Sequence, residues 1–500
     1  MIAKALSALP QGYQGHLIEV EGDSSRGLPA FNIVGMANKT IEESKDRVRS
    51  ALNNSMFSFP DRRITINLAP AELHKDGAYL DLPIALVVMT LSNQLLQTDI
   101  DKKLFVGELS LTGELRPVRG IINIVEAAKQ AGVTEVYLPQ SNLPQASLVS
   151  DVNLTGVTDL KSLFLHLKGE TRIVTPNIVV KNTITDTTSI VLDHVLGQQQ
   201  AKRAMIIAIA GRHNILISGP PGAGKTMLAK AALNLLPSPS DNEKIAITKI
   251  HSLGGITQDI VHSRPFRNPH HTASPISLIG GGPTASPGEI SLAHFGVLFL
   301  DELPEYPRSI LEALRQPLED KQISISRVNQ KTTYPADFML IATMNPCPCG
   351  FAGSFDHECA CTPNQLASYA KKLSGPLLDR IDIVIDVTKV ENTDLLKPTP
   401  DTSTEHDAAK ARIDTATNNQ QKRYKRSDFY NSSLSSSQVS KQLYLSSAAK
   451  KLLEHASRTL DLSARSYFKT IKVAGTIADL ESAAKITDVH LSEALHYRKK

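Results

Sequence analysis

The sequence predicts a multidomain α/β protein, and three observations lead there. The chain has 500 residues, which at roughly 100–200 residues per domain makes about three domains. Two polar, aperiodic stretches, 167–190 and 390–440, divide it into three blocks. Within the middle block an apolar strand, a glycine-rich loop and a helix follow one another directly, which is the mark of an α/β domain.

Composition sets the outer limits. Hydrophobic residues make up 41% and charged residues 21% of the chain, a globular balance that excludes wholesale disorder. The 54 basic and 50 acidic residues leave a net charge of +4, with a pI near 8.6. Any nucleic-acid binding must therefore rest on local patches rather than on a polycationic chain. No apolar run approaches the roughly 20 residues that span a bilayer; the longest, Leu82–Leu91, is interrupted by Pro83 and Thr90. The N-terminus is too polar from Pro10 onward for a secretory signal. A cytoplasmic protein with no membrane partner is expected.

The first block, 1–166, mixes strands and helices. HLIEVEG, FNIVGM, RITINLAP and TEVYLP read as strands. KTIEESKDRVRSALNNS reads as an amphipathic helix with Ile41, Val48 and Leu52 on one side. Thr40 and Glu43 have the spacing of a capping box. INIVEAAKQAG is a second helix, closed by a glycine. Residues 167–190 form a linker, and 191–389 hold the strongest motifs. The Ser/Thr/Asn-rich stretch 390–440 is expected to be partly flexible, with one helix over DAAKARIDTATNNQQKR. Residues 441–500 read as a helical bundle.

Chemistry concentrates in the middle block. ILIS is a short strand, and Gly219, Pro220, Pro221, Gly222, Ala223, Gly224, Lys225 and Thr226 spell GxxxxGKT. Glycines clear side chains from the loop, so backbone N–H groups at a helix N-terminus surround phosphates. Lys225 supplies a cation to the β- and γ-phosphates of ATP, and Thr226 a hydroxyl to Mg²⁺. GVLFLDELPE ends a strand in two carboxylates. Asp301 is the expected magnesium partner and Glu302 the base for the attacking water. MLIATMNP ends a further strand at Asn345, an amide suited to holding that water. This order of motifs resembles the AAA+ ATPases. By that resemblance Arg380, in SGPLLDRIDIVIDV, is an arginine finger offered to a neighbouring subunit. Arg465, in LSARSYFKTIKVAGTIADL, is similar to the second sensor, an arginine that the lid carries onto the phosphates.

Three further segments stand out. QISIS and TTYPADFMLIAT flank the polar turn VNQK and predict a β-hairpin with Arg327 and Lys331 near its tip. In related AAA+ helicases such a hairpin enters the central pore, where basic residues hold nucleic-acid phosphates. The glycine- and proline-rich segment 251–290 carries Arg264, Arg267, His270 and His271 and is expected to face the pore as an inserted loop. Its paired histidines point apart in an extended chain, which favours packing or phosphate contact over a metal. All four cysteines, Cys347, Cys349, Cys359 and Cys361, lie within fifteen residues as two C-x-C pairs. That clustering suits a structural Zn²⁺; free thiols or two redox disulfides are the alternatives, and His357 is a substitute ligand.

GLPAFNIVGM, ITINLAPAEL, RPFRNPHHT, PGEISLAHFGVLFLDELPE, LRQPLED, MNPCPCG, SGPLLDRID and HLSEALHYR together resemble the ComM/YifB group of magnesium-chelatase-like AAA+ proteins over nearly the whole chain. The resemblance implies an N-terminal domain similar to the Lon-protease/ribosomal-S5 fold. It also implies a homo-hexameric ring that drives branch migration on single-stranded, duplex and branched DNA during natural transformation, with recombination proteins as further partners. Two positions depart from the pattern. Tyr79 occupies the nucleophilic-serine position of Lon-type turns in KDGAYLDL, which makes peptidase activity doubtful. Gly475 stands where an arginine is common in the family. A protein-remodelling ATPase of the chelatase or chaperone kind is the competing functional class.

Overall fold

The sequence folds around two sheets, one in each of the first two blocks. The structure is a computed structural model that describes residues 2–35, 39–73, 75, 77–174, 190–257, 259–282, 285–327, 330–353, 357–389 and 404–498, with 39–40, 326–327 and 330–331 described by backbone alone. The first sheet has seven strands in the spatial order Ala30–Val34, Arg63–Ala69, Gln14–Ser25, Ile2–Gln11, Lys103–Phe105, Glu135–Pro139, Asn153–Val157. Ile2–Gln11 and Gln14–Ser25 form a long antiparallel hairpin, and Asn153–Val157, Glu135–Pro139 and Lys103–Phe105 run parallel. The apolar run near residue 82 becomes the helix Asp81–Leu91, in which every residue is buried, as expected of a helix that is apolar all round. The helix at Lys39–Asn54 begins one residue before Thr40, so Thr40 lies inside it rather than at its cap.

The second sheet has five strands, all parallel, in the order Phe266–Arg267, Val297–Leu300, Met339–Met344, Ile215–Ser218, Ile383–Asp386. Val297–Leu300 is buried along its whole length, which fits continuous apolar runs rather than alternation when both faces are covered. Parallel strands share one direction, so this sheet has a clear C-terminal edge and a clear N-terminal edge. The functional residues divide between them.

The two sheets are docked. Lys249 pairs with Glu126 and sits 4.1 Å from the centre of the Tyr13 ring. The Gly120 N–H donates to Ser252 Oγ at 3.0 Å, and Gln145 Nε2 donates to the carbonyls of Thr257 and Asp259 at 3.2 and 3.1 Å.

The C-terminal helices close over the second sheet, and the helix expected over DAAKARIDTATNNQQKR is one of them. The polar stretch expected to be partly flexible contains a 21-residue helix, Thr404–Tyr424. Ala409, Ile413 and Ala416 bury one side of it in the same core as Ile207, Ala474 and Ile477. Its polar residues also turn inward. Gln420 donates to the Ala210 carbonyl at 2.9 Å. Arg423 pairs with Asp479. Asn431 donates to Thr476 Oγ1 at 3.0 Å, and Thr476 in turn meets His213 Nε2 at 2.8 Å. A buried hydrogen-bonded network of this kind favours one orientation of lid on core. Gly475 belongs to this packing. A Cβ there would lie 3.0 Å from Leu443 Cδ1, so the glycine admits Leu443 against the helix Ala464–Leu480.

Candidate nucleotide site on two edges of one sheet

At the C-terminal edge, the loop after Ile215–Ser218 turns back over the sheet. A Cβ on Gly219 would lie 2.5 Å from the Val387 carbonyl oxygen, so only glycine permits that approach. Gly222 and Gly224 have φ of 76° and 79°, the left-handed region that glycine enters without cost. The helix Lys225–Leu235 starts directly after them, which aims its unpaired N–H groups into the loop. Lys225 Nζ donates to the carbonyls of Gly219 and Pro220 at 2.5 and 3.0 Å and to Asn345 Oδ1 at 3.0 Å. Burial lowers the Lys225 ammonium, against the opposing pull of Asp301 and Glu302.

The acidic pair sits across from this loop. Thr226 Oγ1 donates to Asp301 Oδ2 at 3.2 Å. Thr343 donates to the other Asp301 oxygen and accepts the Glu302 N–H at 3.0 Å. Glu302 has φ of 53° and is exposed, so its side chain is free for a water while Asp301 is held. Thr343 was missed in the sequence. Its signal is the period of two, which sets residues 343 and 345 on the same side of one strand. The donor set fits a hydrated divalent cation: one hydroxyl and one carboxylate beside a phosphate loop.

The cysteine loop adjoins this edge. The four Sγ atoms lie within 4.8 Å of one another, and three of the separations are 3.3, 3.7 and 3.6 Å. Tetrahedral zinc with Zn–S near 2.3 Å sets its sulfurs about 3.8 Å apart, so the cluster fits such an ion. All four are free thiols, and the backbone N–H of Phe351 together with the Cys347 thiol brings Cys349 down to about 6. His357 is not in the cluster; its ring packs 4.9 Å from that of Phe351. A Cβ on Gly350 would lie 2.7 Å from Pro221 Cδ. The cysteine loop thus rests directly on the phosphate loop.

Arg380 lies at the opposite edge. Asp382 N–H donates to the Asn214 carbonyl at 2.9 Å and Asn214 Nδ2 to the Arg380 carbonyl at 2.9 Å. Asn214 precedes the strand that leads to the phosphate loop, so a strand of four residues, on the order of 13 Å, separates Arg380 from its own loop. Arg465 is at this edge too, paired with Glu319. Both arginines converge on Glu319: Arg380 by a close ion pair and Arg465 Nη2 at 3.3 Å. They line a cleft of about 510 Å³ with Arg212, Lys321, Lys469 and Lys472.

The residues expected to grip DNA have mixed outcomes. Arg264 is buried, and it is corrected from a phosphate contact to a structural residue. Its guanidinium meets both Glu243 oxygens at 2.9 Å and donates to the carbonyls of Pro237 and Phe295 at 2.6 and 2.7 Å. Arg267 is similarly engaged, bidentate on Glu289 at 2.5 and 2.7 Å. His270 and His271 do not point apart; their ring centres are 4.1 Å apart, and His271 packs edge-on to Tyr306. They join no metal cluster among the described residues. The hairpin forms, Gln322–Arg327 paired with Gln330–Pro335. The side chains of Arg327 and Lys331, and the turn between their strands, lie outside the described residues. A cleft of about 600 Å³ is lined by Thr332 and Thr333 of the hairpin and by Tyr13 and His16 of the first domain. No helix among the described residues is long and apolar enough to cross a membrane.

The parallel five-stranded sheet, the phosphate loop, the paired acids and the polar strand end define an ATPase of the AAA+ class. Three family models match along the chain: magnesium chelatase, subunit ChlI, over residues 191–395; subunit ChlI of Mg-chelatase, over 20–142; and magnesium chelatase, subunit ChlI C-terminal, over 403–498. Competence protein ComM of Haemophilus influenzae is 41% identical over 503 residues, 99% of this chain and 97% of that protein. Protein YifB of Escherichia coli is 40% identical, covering 96% and 94%. The magnesium-chelatase 67 kDa subunit of Chlorobaculum parvum is 26% identical over 30% of this chain and 23% of its own. The chain belongs to the ComM/YifB family of magnesium-chelatase-like AAA+ ATPases.

Proposed function

We propose that this chain is one subunit of a hexameric, ATP-driven DNA translocase that promotes branch migration during homologous recombination of incoming DNA. The observation that carries this reading is the division of the ATP site between opposite edges of one sheet. A phosphate loop at one edge with two arginines at the other makes each chain half of two sites. A head-to-tail contact repeated around a closed ring completes every site. Similarity to a competence protein over nearly the whole chain favours DNA as the substrate.

Within each site, backbone N–H groups of the loop and Lys225 bind the phosphates. Thr226 and Asp301 would hold magnesium, which supplies charge neutralisation at the β- and γ-oxygens. Glu302 takes the proton from the water that attacks the γ-phosphorus, and Asn345 orients that water. Arg380 and Arg465 leave Glu319 and stabilise the charge that gathers on the neighbour's γ-phosphoryl oxygens. The hairpin leads into the strand Met339–Met344 and so into Asn345, which gives phosphate-site chemistry a short route to a DNA contact at Arg327 and Lys331. The four cysteines would hold a structural zinc that stiffens the loop under Pro221. The first domain is taken as a Lon/S5-like scaffold without peptidase activity. Tyr79 occupies the nucleophile position, and its ring packs over Gly77.

The test is ATP turnover with and without DNA, together with migration of a labelled three- or four-strand junction. DNA should raise turnover, and binding should weaken steeply as salt rises. A protein that hydrolyses ATP yet neither binds nor moves DNA would be assigned instead to remodelling of a protein partner.

A further inference from the structure

We propose that Lys469 is a positioning residue for the trans-acting arginines, tying the Arg380 loop to the lid helix so that Arg380 and Arg465 reach the neighbouring nucleotide as one unit. The proposal rests on the ring reading above.

Arg465, Lys469 and Lys472 stand at i, i+4 and i+7 of the helix Ala464–Leu480, on one face. Their roles on that face differ. Arg465 is exposed and reaches Glu319. Lys472 Nζ donates to the Ser432 carbonyl at 3.0 Å, which is contact within the C-terminal part of the chain. Lys469 alone crosses to the finger. Its ammonium donates to the Ile381 carbonyl and, at 3.4 Å, to the Asp379 carbonyl. These two carbonyls flank Arg380 on either side.

A lysine suits this task. Its ammonium carries three donors on one point, enough to hold the carbonyls on both sides of Arg380. Its neighbours act on other parts of the finger. Arg380 Nη1 donates to the Pro376 carbonyl at 2.6 Å, and Glu319 takes the guanidinium tip. Glu319 joins the two arginines only by their tips, and only while no phosphate displaces it. Lys469 joins their backbones, and that link persists when the tips move. Burial lowers the Lys469 ammonium, which fits a side chain committed to an internal contact rather than to solvent.

Removing the ammonium should leave the phosphate loop of the same chain untouched, because it lies at the other edge of the sheet. The finger alone should lose its register. A misplacement of about 1 Å at a reacting centre costs up to about 100-fold in rate.

The experiment uses the full chain at ring-forming concentration, with Lys469→Met, Lys469→Arg, Arg380→Ala and the double variant Lys469→Met/Arg380→Ala. Lys469→Met should lower kcat about 10- to 100-fold and leave KM for ATP within about twofold, because only a transition-state contact is lost. The double variant should be no slower than Arg380→Ala alone, and Lys469→Arg should recover most of the rate. Mixing Lys469→Met subunits with Glu302→Gln subunits should restore turnover, since the latter supply an intact finger. Mixing Lys225→Ala with Glu302→Gln should restore none. Wild-type kcat in Lys469→Met, a loss that adds to that of Arg380→Ala, or no rescue on mixing overturns the proposal. If Lys469→Met does not assemble, Lys469→Gln, which keeps an N–H donor and the stem, is read by the same criteria. Wild-type turnover by Arg380→Ala would instead overturn the ring reading itself.

Discussion

The two edges of the five-stranded sheet arrange their charged groups by different physics. The C-terminal edge is a backbone device. Its phosphate cradle is made by glycine conformations and a helix N-terminus, and side chains add one cation, one hydroxyl and two carboxylates. The N-terminal edge is a side-chain device. Two arginines are held there by one half-exposed carboxylate, Glu319. A backbone cradle is rigid and completes itself within one chain. An ion-paired arm can be handed from one anion to another, and Glu319 is the anion on which both arginines rest in this structure.

The largest expected effects separate the edges by the site on which they act. Glu302→Gln keeps the shape of the carboxylate and removes the base, so ATP should bind and remain unhydrolysed, with turnover down by about 10²–10⁴. Arg380→Ala should cost about 10³ or more, but in the neighbour's site. Mixed rings of the two variants should therefore recover activity, because an Arg380→Ala subunit beside a Glu302→Gln subunit has an intact pocket and a borrowed finger. Activity in mixtures that never exceeds the weighted mean of the two pure proteins would place both residues in one chain's site and erase the distinction.

The edges also differ in how far the sequence revealed them. The cradle and its acids were legible because each is a contiguous motif: GPPGAGKT, DE after four apolar residues, and a polar residue at a strand end. The side-chain edge was partly hidden. Glu319 lies 61 residues from Arg380 and 146 from Arg465, and no local pattern joins them. The position of Arg465 was hidden for the same reason, since motif order along a chain does not state which edge of a sheet a lid helix covers. Arg264 misled in another way. A basic residue in a glycine- and proline-rich segment reads as exposed, yet its partner Glu243 is the capping-box residue of the helix Asp241–Leu253. The helix Thr404–Tyr424 was half legible, because Ala409, Ile413 and Ala416 keep the i, i+4, i+7 spacing inside an otherwise polar stretch.

Buried and exposed ion pairs give the next contrast, in stability rather than rate. Arg264 and Glu243 are almost completely buried, with side chains 4% and 1% exposed. Arg264→Ala leaves that carboxylate in the interior with its strongest partner gone, which costs about 3–5 kcal/mol. Urea unfolding followed by circular dichroism should show a loss of unfolding free energy of that size, read from the midpoint shift multiplied by the m-value. A shift below about 1 kcal/mol would return Arg264 to the surface and restore it as a candidate DNA contact.

The smallest effect is expected where the function is most concentrated. Glu319 is 49% exposed on its side chain, so solvent screens its pairs, and Glu319→Ala should change stability by no more than about 1 kcal/mol. The sign with pH follows from the carboxylate. Its hydrogen bond with Arg380 holds Glu319 below the ordinary range, so its contribution is present above the unfolded value of about 4.3 and fades as pH falls through the folded value. Wild type and Glu319→Ala should therefore differ slightly at pH 7 and converge in acid. Turnover should respond differently from stability. With Glu319 removed, both arginines lose their resting anion, and neither has to break an ion pair to reach the neighbour's γ-phosphate. Basal ATP turnover at fixed subunit concentration should hold or rise, not fall. A large loss of turnover with stability unchanged would mean that Glu319 aims the arginines during hydrolysis instead of holding them between cycles, and the two edges would then be equally rigid.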